Sequence, residues 1–388
     1  MPDLATTWAE CLHEWKAQGK TSPTVDLAFS AVALSVFARF RNCRPAAVEA
    51  SKAYLNLLRH MQNRIPRLGS GSPTSDEIDE YLLEAHLMAR YEAFVQNHGD
   101  EADLEVKVWF HIDGAAAILR LWFDNRHRYT PTAIIRQTRR KLIKSCLLRE
   151  QPIPRWLVDG GVFGERDVAL EFDHLTIQFI DLHHKYLELK QSFQNGVLVT
   201  QQVDNLVDDF RRLDQEMQAW STRLPSKWSY TKHTLPDTCD YSQDDFYFDT
   251  VLTCAKLGYT AVWNEYYAIR MLISHTRLRI LHLAPQPNSA ETLEYLTSLG
   301  SSAESLTSFV PFCLGRIRTT PKGSVEFSNE PFQPYLASLV VWPMSLASGL
   351  PTLDPIQRQW FSSALARVSK TSSECLYAYA ASDYWAVP

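Results

Sequence analysis

The stretch VDNLVDDFRRLDQEMQAWSTRL, residues 203–224, settles the fold class. Leu206, Phe210, Leu213, Met217, Trp220 and Leu224 recur at steps of four and three. That is the period of an α-helix with one apolar face. Asp208, Asp209 and Arg212 fall largely off that face. Asp204 and Asp208, four apart and followed by Arg212, have the spacing of an acidic metal motif. Exposed ion pairing one turn apart explains them better.

The same period runs outward in both directions. Helical segments are read at 1–20, 23–40, 45–64, 75–88, 111–122, 131–146 and 173–193. Beyond 224, residues 244–283 read as one long helix or two in tandem, followed by 290–309, 334–350 and 355–379. Breakers fall at 69–73, 151–164, 224–238, 284–288 and 327–334. None is long enough for an interdomain linker, and strand-like alternation is nearly missing. The expectation is one all-α domain over 1–388, a single large irregular helical bundle.

Composition agrees. Apolar residues make up 45% of the 388, ample for a core, and Gly is scarce at 14 while Trp reaches 11. Few glycines and many long apolar side chains favour helices over a turn-rich β fold. The net charge of −5 gives no reason to expect a nucleic-acid surface, which shows an excess of Lys and Arg. The seven cysteines, Cys11, Cys43, Cys146, Cys239, Cys254, Cys313 and Cys375, never form a CxxC pair. Buried reduced thiols are expected rather than disulfides or a cysteine zinc site. The N-terminus lacks the basic start and apolar run of a secretory signal. The longest apolar run, 336–350, is broken by Pro343 and Gly349 and is too short to span a bilayer. A cytoplasmic location follows as the expectation.

A second stretch, VKVWFHIDGAAAILRLW at 106–122, places Gly114, Ala115, Ala116 and Ala117 in a row. Small residues let another helix come close. His111 and Asp113 are read as preceding that helix, capping it or lining a cavity.

These segments, in order, resemble the regulatory domain of fungal zinc-cluster transcription factors. The likeness is carried by AVALSVFARF from Ala31, AAVEASKAYLNLLRHMQ from Ala46 and DEIDEYLLEAHLMARYEAF from Asp76. It continues through HIDGAAAILRL from His111, PIPRWL from Pro152, LDQEMQAWSTRLPSKW from Leu213, VWNEYYAIRM from Val262 and VVWPMSLAS from Val340. It spans residues 26–360. Two departures stand out. Those regulators carry a six-cysteine zinc cluster and a basic linker ahead of this domain, and residues 1–25 hold only Cys11. Tyr267 stands where that family usually has an Arg. Relatives of the domain without the cluster include fungal α-humulene synthases of tropolone-sesquiterpenoid pathways. That comparison implies a class I cyclase, which binds farnesyl diphosphate through Mg²⁺ and closes the resulting cation to a macrocycle.

The chemistry-bearing residues are sought on the stretch YSQDDFYFDTVLTCAKLGYTAVWNEYYAIR. There is no GxxxxGK[ST], HExxH, GxSxG or GxGxxG anywhere in the chain. His183 and His184 are adjacent and make a poor metal pair; Asp173, His174 and Asp181 read as a solvated helix face. If 244–283 is helical, Asp245 and Asp249 share a face that continues through Lys256, Thr260, Trp263, Asn264 and Tyr267. Mg²⁺ on a diphosphate needs only one or two carboxylates. Asp245, Asp249 and Asn264 are therefore the candidate metal ligands. Arg270, Arg277 and Arg279 are the candidate diphosphate donors, suited to bidentate bonding. Trp263 and Tyr267 are the candidate catalytic aromatics, each worth about 2 kcal/mol to a desolvated cation. The competing reading is an acidic first turn at Asp244, Asp245 and Asp249, favoured by the helix dipole.

Two functions compete at this stage. One is a Mg²⁺-dependent sesquiterpene cyclase, an enzyme taking a small prenyl diphosphate, with no direct nucleic-acid binding, no membrane span and homo-oligomers open. The other is a regulator without a zinc cluster, nuclear rather than cytoplasmic, that senses a small molecule or dimerises.

Overall fold

Helices dominate, as the period of the apolar residues requires. The computed structural model describes residues 8–70, 73–95, 101–196, 200–235, 242, 244–283, 289–320, 323–328 and 339–372. The N-terminal half runs α1 (Trp8–Ala17), α2 (Pro23–Phe40), α3 (Arg44–Ser70), α4 (Ser75–Val95), α5 (Glu101–Asp124) and α6 (Ala133–Leu148). A short α7 (Arg155–Val158) leads to the long α8 (Asp167–Gln194) and α9 (Thr200–Thr222). A hairpin of β1 (Tyr230–Thr234) and β2 (Thr250–Cys254) precedes α10 (Leu257–Leu281) and α11 (Ser289–Cys313). A second hairpin, β3 (Ile317–Thr319) and β4 (Val325–Phe327), is followed by α12 (Val341–Gly349) and α13 (Pro355–Ser372). The all-α class holds, with two small antiparallel sheets added.

Local rules set several helix ends. Ser22 caps α2, its hydroxyl facing the Val25 amide, and Pro23 follows in the first turn, where its missing N–H costs nothing. Thr132 caps α6 through the Ile135 amide and donates its own proton to Asp79 at 2.7 Å. Gly160 sits where a Cβ would come within 2.7 Å of Leu170 and 3.0 Å of the Arg139 guanidinium. Only glycine lets that backbone approach so closely.

The α9 face reads as expected. Leu206, Phe210, Leu213, Met217 and Trp220 are all buried. Off that face, Arg211 pairs with Asp208 and Arg212 with Asp209, three residues apart at the surface. At the centre lies α10, packed by α8, α9, α11 and α12. A helix covered on all sides shows no apolar stripe, and α10 buries polar and apolar residues alike. A second apolar cluster joins α2, α3 and α4, where Ala28, Ala31 and Ala50 let Tyr54 and Tyr91 stack at 4.1 Å.

Four expectations are corrected. Residues 244–256 are not helical: they form turns, then β2, and α10 starts only at Leu257. His111 and Asp113 lie inside α5 rather than ahead of it. Gly114 faces open space, since a Cβ there would meet nothing within 4 Å, so the close approach falls to buried Ala115 instead. Asp173 is not solvated but buried against Arg139. The segments 1–7, 334–338 and 373–379, expected to be helical, lie outside the described residues. Cys11, Cys43, Cys146, Cys254 and Cys313 are free thiols, all but Cys43 buried; Cys239 and Cys375 lie outside the described residues. Among the described residues no helix is long and apolar enough to cross a membrane.

Candidate functional site

Local preference explains why the predicted acidic face does not form. Thr250, Val251 and Thr253 are β-branched and favour an extended chain. They pair with β1 in the register Tyr230 to Cys254 and Thr234 to Thr250. Asp245 and Asp249 thus sit on turns and bends before a strand, with no helical periodicity to align them. Asp245 lies 3.3 Å from Arg316 Nε. Asp249 is exposed, accepts a bond from the Thr250 hydroxyl at 3.2 Å, and holds Leu235 through its backbone carbonyl. Asn264 is fully buried on α10, donating to Cys313 Sγ at 3.2 Å. Burial pushes that thiol up to about 12, so it is no ligand. These three residues do not fit a magnesium site. Among the described residues no three His, Cys, Asp or Glu side chains gather closely enough to hold a metal.

The other predicted residues are packing and pairing groups. Trp263 donates its indole N–H to the Trp228 carbonyl at 2.8 Å. Tyr267 donates to the Tyr230 hydroxyl at 3.3 Å, and burial raises its phenol far above the ordinary value. Trp263, Tyr266, Tyr267 and Phe309 lie ring against ring, with centroids 5.1–6.2 Å apart. That spacing is of aromatic pairs in contact, not of rings around a ligand-sized void. Arg270 bonds Asp214 at 3.0 Å. Burial works against its charge, but Asp214 offsets this and its pKa sits above the usual value. Arg277, 1% exposed, lies 3.9 Å from the same carboxylate and stacks 3.6 Å over the Tyr295 ring. Arg279 instead lies 5.3 Å from the Tyr186 ring of α8. The three guanidiniums thus serve helix–helix contacts on different faces of α10.

Open space lies elsewhere. A cleft of about 690 Å³ is formed where β1, β2, the end of α11 and β3 meet. Its hydroxyls come from Ser226, Ser229, Tyr230, Thr231, Thr253 and Thr319, and its cations are Lys227 and Arg318. Leu257, Phe312, Leu314 and Ile317 supply the apolar floor. No carboxylate lines it. Cys254 does, but burial pushes its thiol up to about 11, which keeps it protonated and unreactive at neutral pH. The size falls within the range of small-molecule sites.

A second groove, about 450 Å³, runs between the 244–249 turn and α13. Asp244 and Asp249 both line it, with Tyr247, Phe248, Trp360 and Arg367. Arg367 donates to the Asp244 backbone carbonyl. So the turn brings Asp249 together with Asp244, not with Asp245.

Sequence reasoning missed the large cleft. Its lining comes from three separated stretches joined by strand pairing. The available signal was the β-branched pair of runs YTKHT and TVLTC.

Matched against models of known protein families, curated proteins and solved structures, the chain finds no counterpart. The likeness to the fungal regulatory domain therefore rests on the motifs quoted above.

Proposed function

We propose that this chain is a ligand-responsive helical module, akin to the regulatory domain of zinc-cluster transcription factors, and that the β1–β2–β3 cleft takes an anionic small molecule with an apolar body. The observation that carries this reading is the make-up of the cleft. It offers hydroxyl donors, two cations and an apolar floor, with no carboxylate and no reactive thiol. Such a lining recognises an anion but supplies no acid, base or nucleophile. The packed α10 core adds support, since Asn264, Arg270 and Ser274 bond to groups on neighbouring helices.

The test uses the fluorescent amphipathic anion anilinonaphthalenesulfonate as probe. Wild-type protein is expected to bind it saturably. The double variant Lys227→Glu, Arg318→Glu reverses both charges and is expected to weaken binding by about tenfold or more. Equal affinity for both proteins, with circular dichroism unchanged, removes the cleft as the site.

A second reading, the Mg²⁺-dependent sesquiterpene cyclase, is favoured by the smaller groove. Two carboxylates, four aromatic rings and a guanidinium line it together, and one or two carboxylates suffice for Mg²⁺ on a diphosphate. Farnesyl diphosphate with Mg²⁺ separates the two readings. The first expects the diphosphate to compete with the fluorescent probe and be recovered intact. A sesquiterpene hydrocarbon in the headspace, lost in Asp249→Ala, would establish the second.

A further inference from the structure

Lys141 on α6 lies against α4, with no carboxylate partner among the described residues. Its Nζ sits 3.1 Å from His86 Nδ1. The tautomer of His86 follows from its other contact. Thr138 gives its single hydroxyl proton to the Ile134 carbonyl at 2.8 Å. His86 Nε2, 3.1 Å from that hydroxyl oxygen, must then be the donor. Nδ1 is left with a free lone pair, aimed at Lys141. The Trp8 ring closes the other side of His86, with centroids 3.9 Å apart. The remaining groups that act on this amine are cationic or neutral. Arg90 on α4 repels its charge, and His111 on α5 is a neutral ring bonded to the Tyr54 hydroxyl. Glu92, the nearest acid in that network, is engaged by Tyr54.

We propose that Lys141 is a nucleophilic amine that captures a small carbonyl compound, an aldehyde above all, as an imine, with His86 Nδ1 as proton acceptor. Burial and Arg90 hold the Lys141 ammonium down to about 7, so an unprotonated fraction exists at neutral pH. His86 itself is kept neutral by burial, Lys141 and Arg90. In the reaction the Nζ lone pair attacks the carbonyl carbon, and the C=O π pair moves to oxygen. Nitrogen sheds its two protons in turn, each passing to His86 Nδ1 and on to the oxygen, the first giving the carbinolamine hydroxyl and the second its leaving water. That oxygen leaves as water when the C=N bond forms. The step is reversible and needs no oxidant. Lys141 is half-buried, so part of the side chain reaches the surface.

The test is reductive trapping on the whole chain. Limiting benzaldehyde with cyanoborohydride at pH 7 fixes any imine as a benzylamine, located by peptide mass mapping. Lys141 is expected to carry about tenfold more label than Lys52 or Lys144. Its preference over those lysines is expected to shrink by about tenfold or more between pH 7 and 9, since its own free-amine fraction only about doubles while that of an unperturbed lysine rises about a hundredfold. In urea sufficient to unfold the chain the preference should vanish. Label spread evenly over the lysines at pH 7, or a preference that survives urea, overturns the proposal. His86→Asn, with circular dichroism confirming the fold, is expected to slow trapping at Lys141 by about fivefold or more. An unchanged rate overturns the role given to His86.

Discussion

Replacing Arg139 by Met lowers the unfolding free energy by about 3–5 kcal/mol and the thermal midpoint by about 4–6 °C. Arg139 is wholly buried. Its Nε donates to the Leu157 carbonyl at 2.8 Å, its Nη2 to the Val158 carbonyl at 3.2 Å, and its Nη1 to Asp173. The guanidinium also lies 5.4 Å from the Phe163 ring. One side chain thus ties α6 to α8 and to the α7 turn. Removing it leaves the buried Asp173 carboxylate with only Arg140, 3.9 Å away, and two carbonyls short of a donor. The cost is that of broken pairing rather than of the pair's net worth. The double replacement Arg139→Met, Asp173→Leu is accordingly expected to recover most of the loss, since an apolar pair removes the stranded charge. Urea unfolding of the two variants and the wild type measures this. A loss under about 1 kcal/mol in Arg139→Met would contradict the account.

The second large effect concerns Asp214. Its carboxylate, 5% exposed at the residue level, holds Arg270 at 3.0 Å and lies 3.9 Å from Arg277. It also accepts from Gln218 one turn along α9 at 2.7 Å. Asp214→Ala is expected to cost about 3 kcal/mol, because the partly buried Arg270 loses its carboxylate and the buried Arg277 keeps only the exposed Glu294, 3.6 Å away. The result also decides what those arginines are for. If they exist to bind a diphosphate, freeing them from Asp214 should tighten inorganic diphosphate binding and leave stability nearly unchanged. If they hold α9 against α10, stability falls and no diphosphate binding appears. The second outcome is expected. Denaturation and isothermal titration on the same variant read both quantities.

The contrast between Leu206 and Asn264 shows what was legible. On α9 one side faces water and the other faces protein, so apolar residues recur every three to four positions and the helix declares itself. Phe210, Leu213 and Met217 could be placed inside before any coordinates existed, and all are. α10 is covered on every side. Its polar residues can be buried because Cys313, Asp214 and Ser298 approach them from α11 and α9. Those partners lie 24 to 56 residues away in the chain. Periodicity carries no record of them, and so a packed interior resembled a reactive face. The hairpin was hidden for a related reason. Five-residue strands such as β1 and β2 are held by their mate rather than by their own pattern, and the mates are separated by the 235–249 connection.

Fold class, the packed face of α9 and the buried cysteines are local matters. They follow from which side chains avoid water at each turn of helix, and the order of residues was enough to decide them. Where the clefts open, which aspartates share one, and whether an arginine meets a ligand or a carboxylate were settled by long-range packing. Charge and hydrogen-bonding capacity belong to a residue wherever it stands. Whether that capacity is spent inside the fold or left for a partner depends on which distant groups the packed helices bring within about 3 Å of it.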